Sequence, residues 1–257
     1  MDGYVFTPFE TGVNFERVSF TTADGIELCG WWLVGRGNRV VVGLTGRSGI
    51  KSELLGVGSF LAKAGFHVLL ADFRGRGESS PAPMGLGRPE AVDAAAAVGY
   101  AAARIPGARI GIIGFSLGAA VAVVTAARDS RVLSLVADCP FARPDALMRA
   151  GMRQFFPITR ALLIPVLTRT WALLLYGLDL GRMDIPGSAR RLRLRRSLVI
   201  VSERDSVIPP AQQYAVYEAL PFPKELWEEP GVDHCGTYFA DRKRYIARII
   251  DFFTATL

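Results

Sequence analysis

The sequence predicts an α/β protein: a mostly parallel central sheet with helices on both faces, carrying one helical insert. Three observations lead there. Short apolar, β-branched runs alternate with helical stretches from Arg39 to Asp138, the pattern of a parallel sheet covered on both sides. The alternation stops at Pro140 and resumes at Ser197. The chain has 257 residues, 50% of them hydrophobic and 21% charged, which suits one large core and carries no disorder signature. The expected organisation is core over 1–139, a helical lid insert over 140–195, and core again over 196–257.

Two strand-like runs come first, Phe15 to Thr22 and Ile26 to Val34, with Asp24-Gly25 between them as a hairpin signal. Arg39 to Thr45 reads as a buried strand and Lys51 to Ala64 as a helix. Strand FHVLLADF, helix PEAVDAAAAVGYAAA, strand ARIGIIGF, helix LGAAVAVVTAA and strand RVLSLVAD follow. After the insert come strand Ser197 to Glu203, helix PPAQQYAVYEAL, strand KELWEE and one amphipathic helix from about Tyr238 to Phe253. Within the insert, Phe155 to Leu180 is strongly apolar, but Arg160 and Arg169 interrupt it and Pro157 and Pro165 break it. An arginine at mid-bilayer costs roughly +2.5–3.5 kcal/mol on insertion scales, so spanning is disfavoured and lid helices with one apolar face are expected. Peripheral contact with lipid through this lid stays open.

Net charge is +6, from an arginine excess concentrated between Arg143 and Arg196. No zinc-finger spacing, RNA-binding aromatic motif or basic heptad region accompanies it, so a solvated basic surface is expected and no nucleic-acid partner. The three cysteines, Cys29, Cys139 and Cys235, match no disulfide framework or metal motif. With an N-terminus that lacks a basic and then apolar leader, they suggest a reduced, cytoplasmic setting. Two histidines exclude a histidine-rich metal site, and neither a cofactor nor a metal is expected.

The chemistry concentrates at GFSLG, Gly114 to Gly118. G-x-S-x-G between an apolar strand and a helix describes a sharp turn that lifts the serine hydroxyl clear of the sheet. The flanking glycines permit close backbone packing, and the helix start offers free N–H groups to an oxyanion. The alternative is an ordinary serine N-cap. As a nucleophile, Ser116 needs a base. His67 opens a strand and reads as structural, whereas His234 sits in a loop after the last strand, able to reach over the carboxyl end of the sheet. A third group, a carboxylate after a later strand, would orient the imidazole. Asp205 in SERDSVIPP is the best placed, Asp138 is the fallback, and Glu203 and Asp233 are poorer. The backbone N–H groups of Leu117 and Arg47 are the candidate oxyanion donors.

TADGIELCGWW, LTGRSG, LLADFRGRGESS, GFSLG, and the late pair SERDSVIPP and GVDHCG occur in that order. Together they resemble the α/β-hydrolase superfamily, and most of all its lid-bearing bacterial group of serine aminopeptidase-like hydrolases and monoacylglycerol-lipase-like esterases. The resemblance implies the α/β-hydrolase fold, with Ser116 as nucleophile, Asp205 as acid and His234 as base, in that family's chain order. Asp72 to Ser79 resembles the family's D-x-R-G-x-G-x-S loop, which is structural. One departure stands out: the family's oxyanion loop begins His-Gly, and here it is Thr45-Gly46. The side chain of Arg47 is then a candidate for favouring acidic acyl groups. Arg47→Ala with an unchanged preference between neutral and anionic esters would remove that idea. The expected activity is hydrolysis of a small-molecule carboxylic ester with an apolar acyl or alcohol group. Amide, peptide or thioester hydrolysis on the same residues is the alternative, as is a non-catalytic lipid- or partner-binding module.

Overall fold

The computed structural model describes residues 6–144 and 183–257. Eight strands form one sheet: β1 (Phe15–Thr21), β2 (Glu27–Leu33), β3 (Arg39–Leu44), β4 (His67–Ala71), β5 (Arg109–Phe115), β6 (Val132–Asp138), β7 (Arg196–Ser202) and β8 (Lys224–Glu229). Their spatial order is β1-β2-β4-β3-β5-β6-β7-β8. β2 is antiparallel to both its neighbours, Phe15 facing Leu33 on one side and Gly30 facing Ala71 on the other. Every pair from β4 through β8 is parallel. The described helices are α1 (Leu55–Lys63), α2 (Arg88–Arg104), α3 (Leu117–Ala126), α4 (Ile185–Ala189), α5 (Pro210–Ala219), α6 (Thr237–Ala240) and α7 (Arg242–Thr256).

The period-two alternation of the buried strands divides the core. Val40, Val42 and Leu44 of β3 and Ile110 and Ile112 of β5 point into a cluster under α2 and α3. Val41, Ile113 and Phe115 point the other way, against α1 and α7. Gly111 on that second face leaves space for Phe253, whose ring would lie 2.5 Å from an added Cβ. Every residue of α3 is buried. Its run of alanine, glycine and valine lets it lie close to the sheet with α2 and α4 outside it.

Two expectations need adjustment. The single C-terminal helix is two: Asp241 leaves the helical region at φ −148° and its side chain accepts the Arg244 N–H at 3.0 Å, capping a new helix. The stretch Lys51 to Ala64 opens with a 3₁₀ turn, Lys51–Leu54, before α1 begins. Most of the lid expected over 140–195, including the apolar run Phe155 to Leu180, lies outside the described residues. Its C-terminal end does not: Asp184 caps α4 through the Gly187 N–H at 2.8 Å, and Ile185, Ala189 and Leu192 join the core cluster of α3. No helix among the described residues is long and apolar enough to cross a membrane.

Candidate active site

β3 lies between β4 and β5, so the chain runs outward from β3 in one direction and then crosses to its other side. The crevice beyond the carboxyl ends of β3 and β5 is the switch point at which open α/β sheets bind ligands. Thr45 to Arg47 leaves β3 there, Ser116 leaves β5, Asp205 follows β7 and His234 follows β8.

Ser116 sits at φ 55°, ψ −114°, a left-handed conformation that a non-glycine residue adopts only under constraint. The constraint is visible in the neighbouring glycines. A Cβ on Gly114 would stand 2.3 Å from the Gly118 carbonyl oxygen, and one on Gly118 would stand 2.2 Å from that of Leu44. The turn is also tied to β6, since the Ser116 N–H donates to the Asp138 carbonyl at 2.9 Å. The hydroxyl makes no capping bond to its own helix; its Oγ lies 2.9 Å from His234 Nε2. The ordinary N-cap alternative is therefore not what this serine adopts.

His234 Nδ1 lies 2.7 Å from Asp205 Oδ2, completing a continuous chain from carboxylate through imidazole to hydroxyl. Asp205 is held by further donors: the N–H groups of Val207 at 2.9 Å and Ile208 at 2.6 Å on Oδ1, and Gln213 Nε2 at 2.8 Å on Oδ2. Gln213, fully buried, also accepts the Ser202 N–H, which fixes which way its amide points. Burial opposes a charge on His234, but the contacts with Asp205 and Cys139 outweigh it and push the imidazole up to about 10.

The other carboxylates take different places. Asp138 is buried and accepts the Tyr245 hydroxyl at 2.7 Å, and burial raises its pKa well above the ordinary range. Asp233 accepts from the Ser206 N–H at 2.8 Å and from the His234 N–H at 2.7 Å, pinning the histidine loop to the Asp205 loop. The carboxylate of Glu203 accepts the Gly231 N–H at 3.1 Å. His67 is buried away from the crevice; its Nδ1 accepts the Gly35 N–H at 3.1 Å and its ring stacks on Trp32. Burial lowers its pKa.

Of the two expected oxyanion donors, Leu117 opens α3, so its N–H has no acceptor within the helix. Arg47 lies one residue past Gly46, whose own N–H is taken by Glu53 Oε2 at 2.7 Å. A Cβ on Gly46 would meet Ser116 Cβ at 3.8 Å, so the loop passes directly over the serine. The Arg47 residue is exposed. Behind the loop, the Asp72 to Ser79 segment is a buried ionic scaffold. Asp72 accepts Lys51 Nζ, the Lys51 N–H at 2.6 Å and the Glu78 N–H at 3.0 Å. Arg74 bridges Asp24 and Asp93, and Arg76 reaches Glu90. Gly77, at φ 53°, could not carry a Cβ, which would fall 2.2 Å from the Asp72 carboxylate.

Gln213, Glu53 and two cysteines are the site residues that sequence reasoning passes over. Cys139 and Cys235 both have positive φ, 52° and 50°, and flank the histidine. The Cys235 N–H donates to Cys139 Sγ at 3.3 Å, and Cys139 Sγ lies 3.2 Å from Ser202 Oγ. Contacts with Cys235, then with His234 and Ser202, outweigh burial and lower the Cys139 thiol to about 5.

Comparison with known proteins agrees with this fold. The profile of the family described as alpha/beta hydrolase fold matches residues 40–168. An uncharacterized protein of Mycobacterium tuberculosis is 29% identical over 245 residues, covering 91% of this chain and 78% of that protein. The esterase Pf2001 of Pyrococcus furiosus superposes with a TM-score of 0.82 at 24% identity, over 98% of this chain and 97% of that one. An acetyl xylan esterase from Paenibacillus sp. R4 superposes with a TM-score of 0.69 at 22% identity, over 95% of this chain and 88% of that one.

Proposed function

The chain belongs to the alpha/beta hydrolase family, and we propose that it is a serine hydrolase that cleaves carboxylic esters through an acyl-enzyme on Ser116. The observation that carries this is the chain Asp205 Oδ2–His234 Nδ1 at 2.7 Å and His234 Nε2–Ser116 Oγ at 2.9 Å, ending on a serine in a strained turn. These spacings suit proton transfer between heavy atoms. Neutral His234 takes the hydroxyl proton as Ser116 Oγ bonds to the ester carbonyl carbon. The N–H groups of Arg47 and Leu117 hold the oxyanion, the second at the positive end of α3. His234 then gives its proton to the departing alcohol. Water, activated by the same imidazole, releases the acid and restores the serine. Asp205 keeps the Nδ1 proton facing itself and stabilises the imidazolium, and Gln213 keeps Asp205 in position.

An apolar acyl or alcohol group is the proposed substrate class. Val207 and Phe239 are 57% and 83% exposed on the segments that follow Asp205 and His234, and in this reading they form an apolar rim of the crevice. The lid proposed over 140–195 would cover that rim with its apolar run. The Pyrococcus and Paenibacillus proteins are both esterases, which favours esters over amides and thioesters, substrates the same residues could also attack. The three cysteines are free, which supports a reducing, cytoplasmic setting.

The test is turnover of p-nitrophenyl esters from acetate to palmitate, with Ser116→Ala in parallel. Turnover that disappears in the variant supports the reading, and the preferred chain length sizes the covered pocket. Folded protein with no turnover on any ester overturns it. Liposome sedimentation of that inactive protein would then test the binding-module alternative.

A further inference from the structure

We propose that Cys139, Cys235 and His234 form a binding site for a soft divalent cation, Zn²⁺, and that occupation of this site switches the hydrolase off. The inhibitory half rests on the proposed role of His234; the binding half does not.

The three side chains come from two strand ends. Cys139 follows β6, and His234 and Cys235 share the loop after β8. Cys235 Sγ lies 3.8 Å from His234 Nε2, and all three donor atoms lie within 4.8 Å of one another. Zinc bonds of about 2.3 Å to sulfur and 2.0–2.1 Å to nitrogen, at tetrahedral angles, separate neighbouring donors by about 3.5–3.8 Å. The Cys235–His234 edge is within about 0.3 Å of the required length, and the others close by about 1.3 Å at most. Two thiolates and an imidazole form a soft set that suits Zn²⁺ and disfavours Mg²⁺ or Ca²⁺.

The surroundings are those of a ligand set, not of three unrelated side chains. His234 Nδ1 is committed to Asp205 at 2.7 Å, the carboxylate–histidine arrangement that orients metal-bound imidazoles. The Cys139 sulfur receives the Cys235 N–H at 3.3 Å, as a thiolate ligand would. Ser116 Oγ, 2.9 Å from Nε2, is the neighbouring oxygen that could supply a fourth ligand, as could a water. On binding, both sulfurs coordinate as thiolates, any proton they still carry passing to solvent, and their charges neutralise the ion. His234 Nε2 donates its lone pair to the metal, so it cannot accept the Ser116 proton, and the 2.9 Å bond to the hydroxyl is broken.

The probe is Co²⁺, added to the folded protein under anaerobic, phosphine-reduced conditions and followed by absorption. The expected result is a thiolate-to-cobalt charge-transfer band, with intense visible bands of a four-coordinate ion, saturating at one equivalent and erased by Zn²⁺. Cys139→Ser and Cys235→Ser each lose it. Cys29→Ser, remote from the cluster, and Ser116→Ala, which has no nucleophile, keep it. No band from the parent, or a band that survives both cluster variants, overturns the proposal. Should Cys139→Ser fail to fold, Cys235→Ser carries the same decision. For the inhibitory half, Zn²⁺ lowers parental ester turnover at least tenfold and a chelator restores it. For Cys235→Ser the ratio of turnover with and without Zn²⁺ stays near one. A cobalt band without inhibition leaves the site standing and refutes the switch; absent turnover in metal-free parent refutes the ester reading and leaves the spectrum to decide the site.

Discussion

Replacing Asp205 by asparagine removes one charge and adds one donor pair at the most crowded acceptor of the site. The carboxylate takes four N–H groups: Val207 and Ile208 on Oδ1, Gln213 and His234 on Oδ2. An amide has one oxygen, so its NH₂ must face a pair of donors whichever way it is turned. The Val207 and Ile208 amides belong to the backbone and cannot reverse, so the oxygen stays with them and the NH₂ faces Gln213 and His234. The imidazole then relieves the clash by changing tautomer, presenting a lone pair at Nδ1 and an N–H at Nε2. In that state it cannot accept the Ser116 proton. The equivalent change in the chymotrypsin-type triad lowers kcat by about 10⁴, which at about 1.36 kcal/mol per tenfold is about 5.5 kcal/mol of transition-state stabilisation. The Gln213 donor left facing an NH₂ costs a further ~1–3 kcal/mol of folding stability. The assay is kcat/KM on the best p-nitrophenyl ester beside a thermal melt. A loss of less than about tenfold in a protein that remains folded would refute the assignment of Asp205.

Three further outcomes are expected. With chelator present, kcat/KM of the parent rises with pH along a limb set by His234. The free imidazole is the active form and its neighbours hold the proton past the ordinary 6.5, so the limb lies above that value and moves down in Asp205→Asn; a parental limb at or below it contradicts the account. Ser116→Gly should abolish turnover while raising the melting temperature, because releasing a non-glycine residue from φ 55° returns ~1–3 kcal/mol of strain; a lower melting temperature would mean the turn is not strained. Gly118→Ala drives a Cβ to 2.2 Å from the Leu44 carbonyl, so α3 and the Thr45 loop must separate. Turnover and stability should fall together in that variant, and a fully active, equally stable protein would show that the two do not need this contact.

The parts of the molecule legible from sequence were those written in local pattern. The β-branched runs of β3 to β7 fix their own burial by composition. α3 announces its full burial through small apolar residues on every face. GFSLG carries its geometry in its glycines, and only one histidine follows the strands in the right chain order. What sequence could not show depended on side chains meeting across the fold. Gln213 looks like any polar residue in a helix, and only the docking of α5 beside β7 brings it to Asp205. Glu53 becomes important because the 3₁₀ turn before α1 returns it to Gly46. Cys139 and Cys235 stand 96 positions apart, so their spacing matches no motif, yet β6 and β8 end at the same edge of the crevice. The break at Asp241 was hidden because the amphipathic pattern continues through a capping residue.

The most direct measurement is where a carbonyl-mimicking inhibitor bonds. Treated with a fluorophosphonate, the protein should gain one phosphonyl group, and peptide mass mapping should place it on Ser116. His234→Asn and Ser116→Ala should both abolish the adduct. No adduct on the folded parent, or one at any other residue, would contradict the claim that Ser116 is the nucleophile.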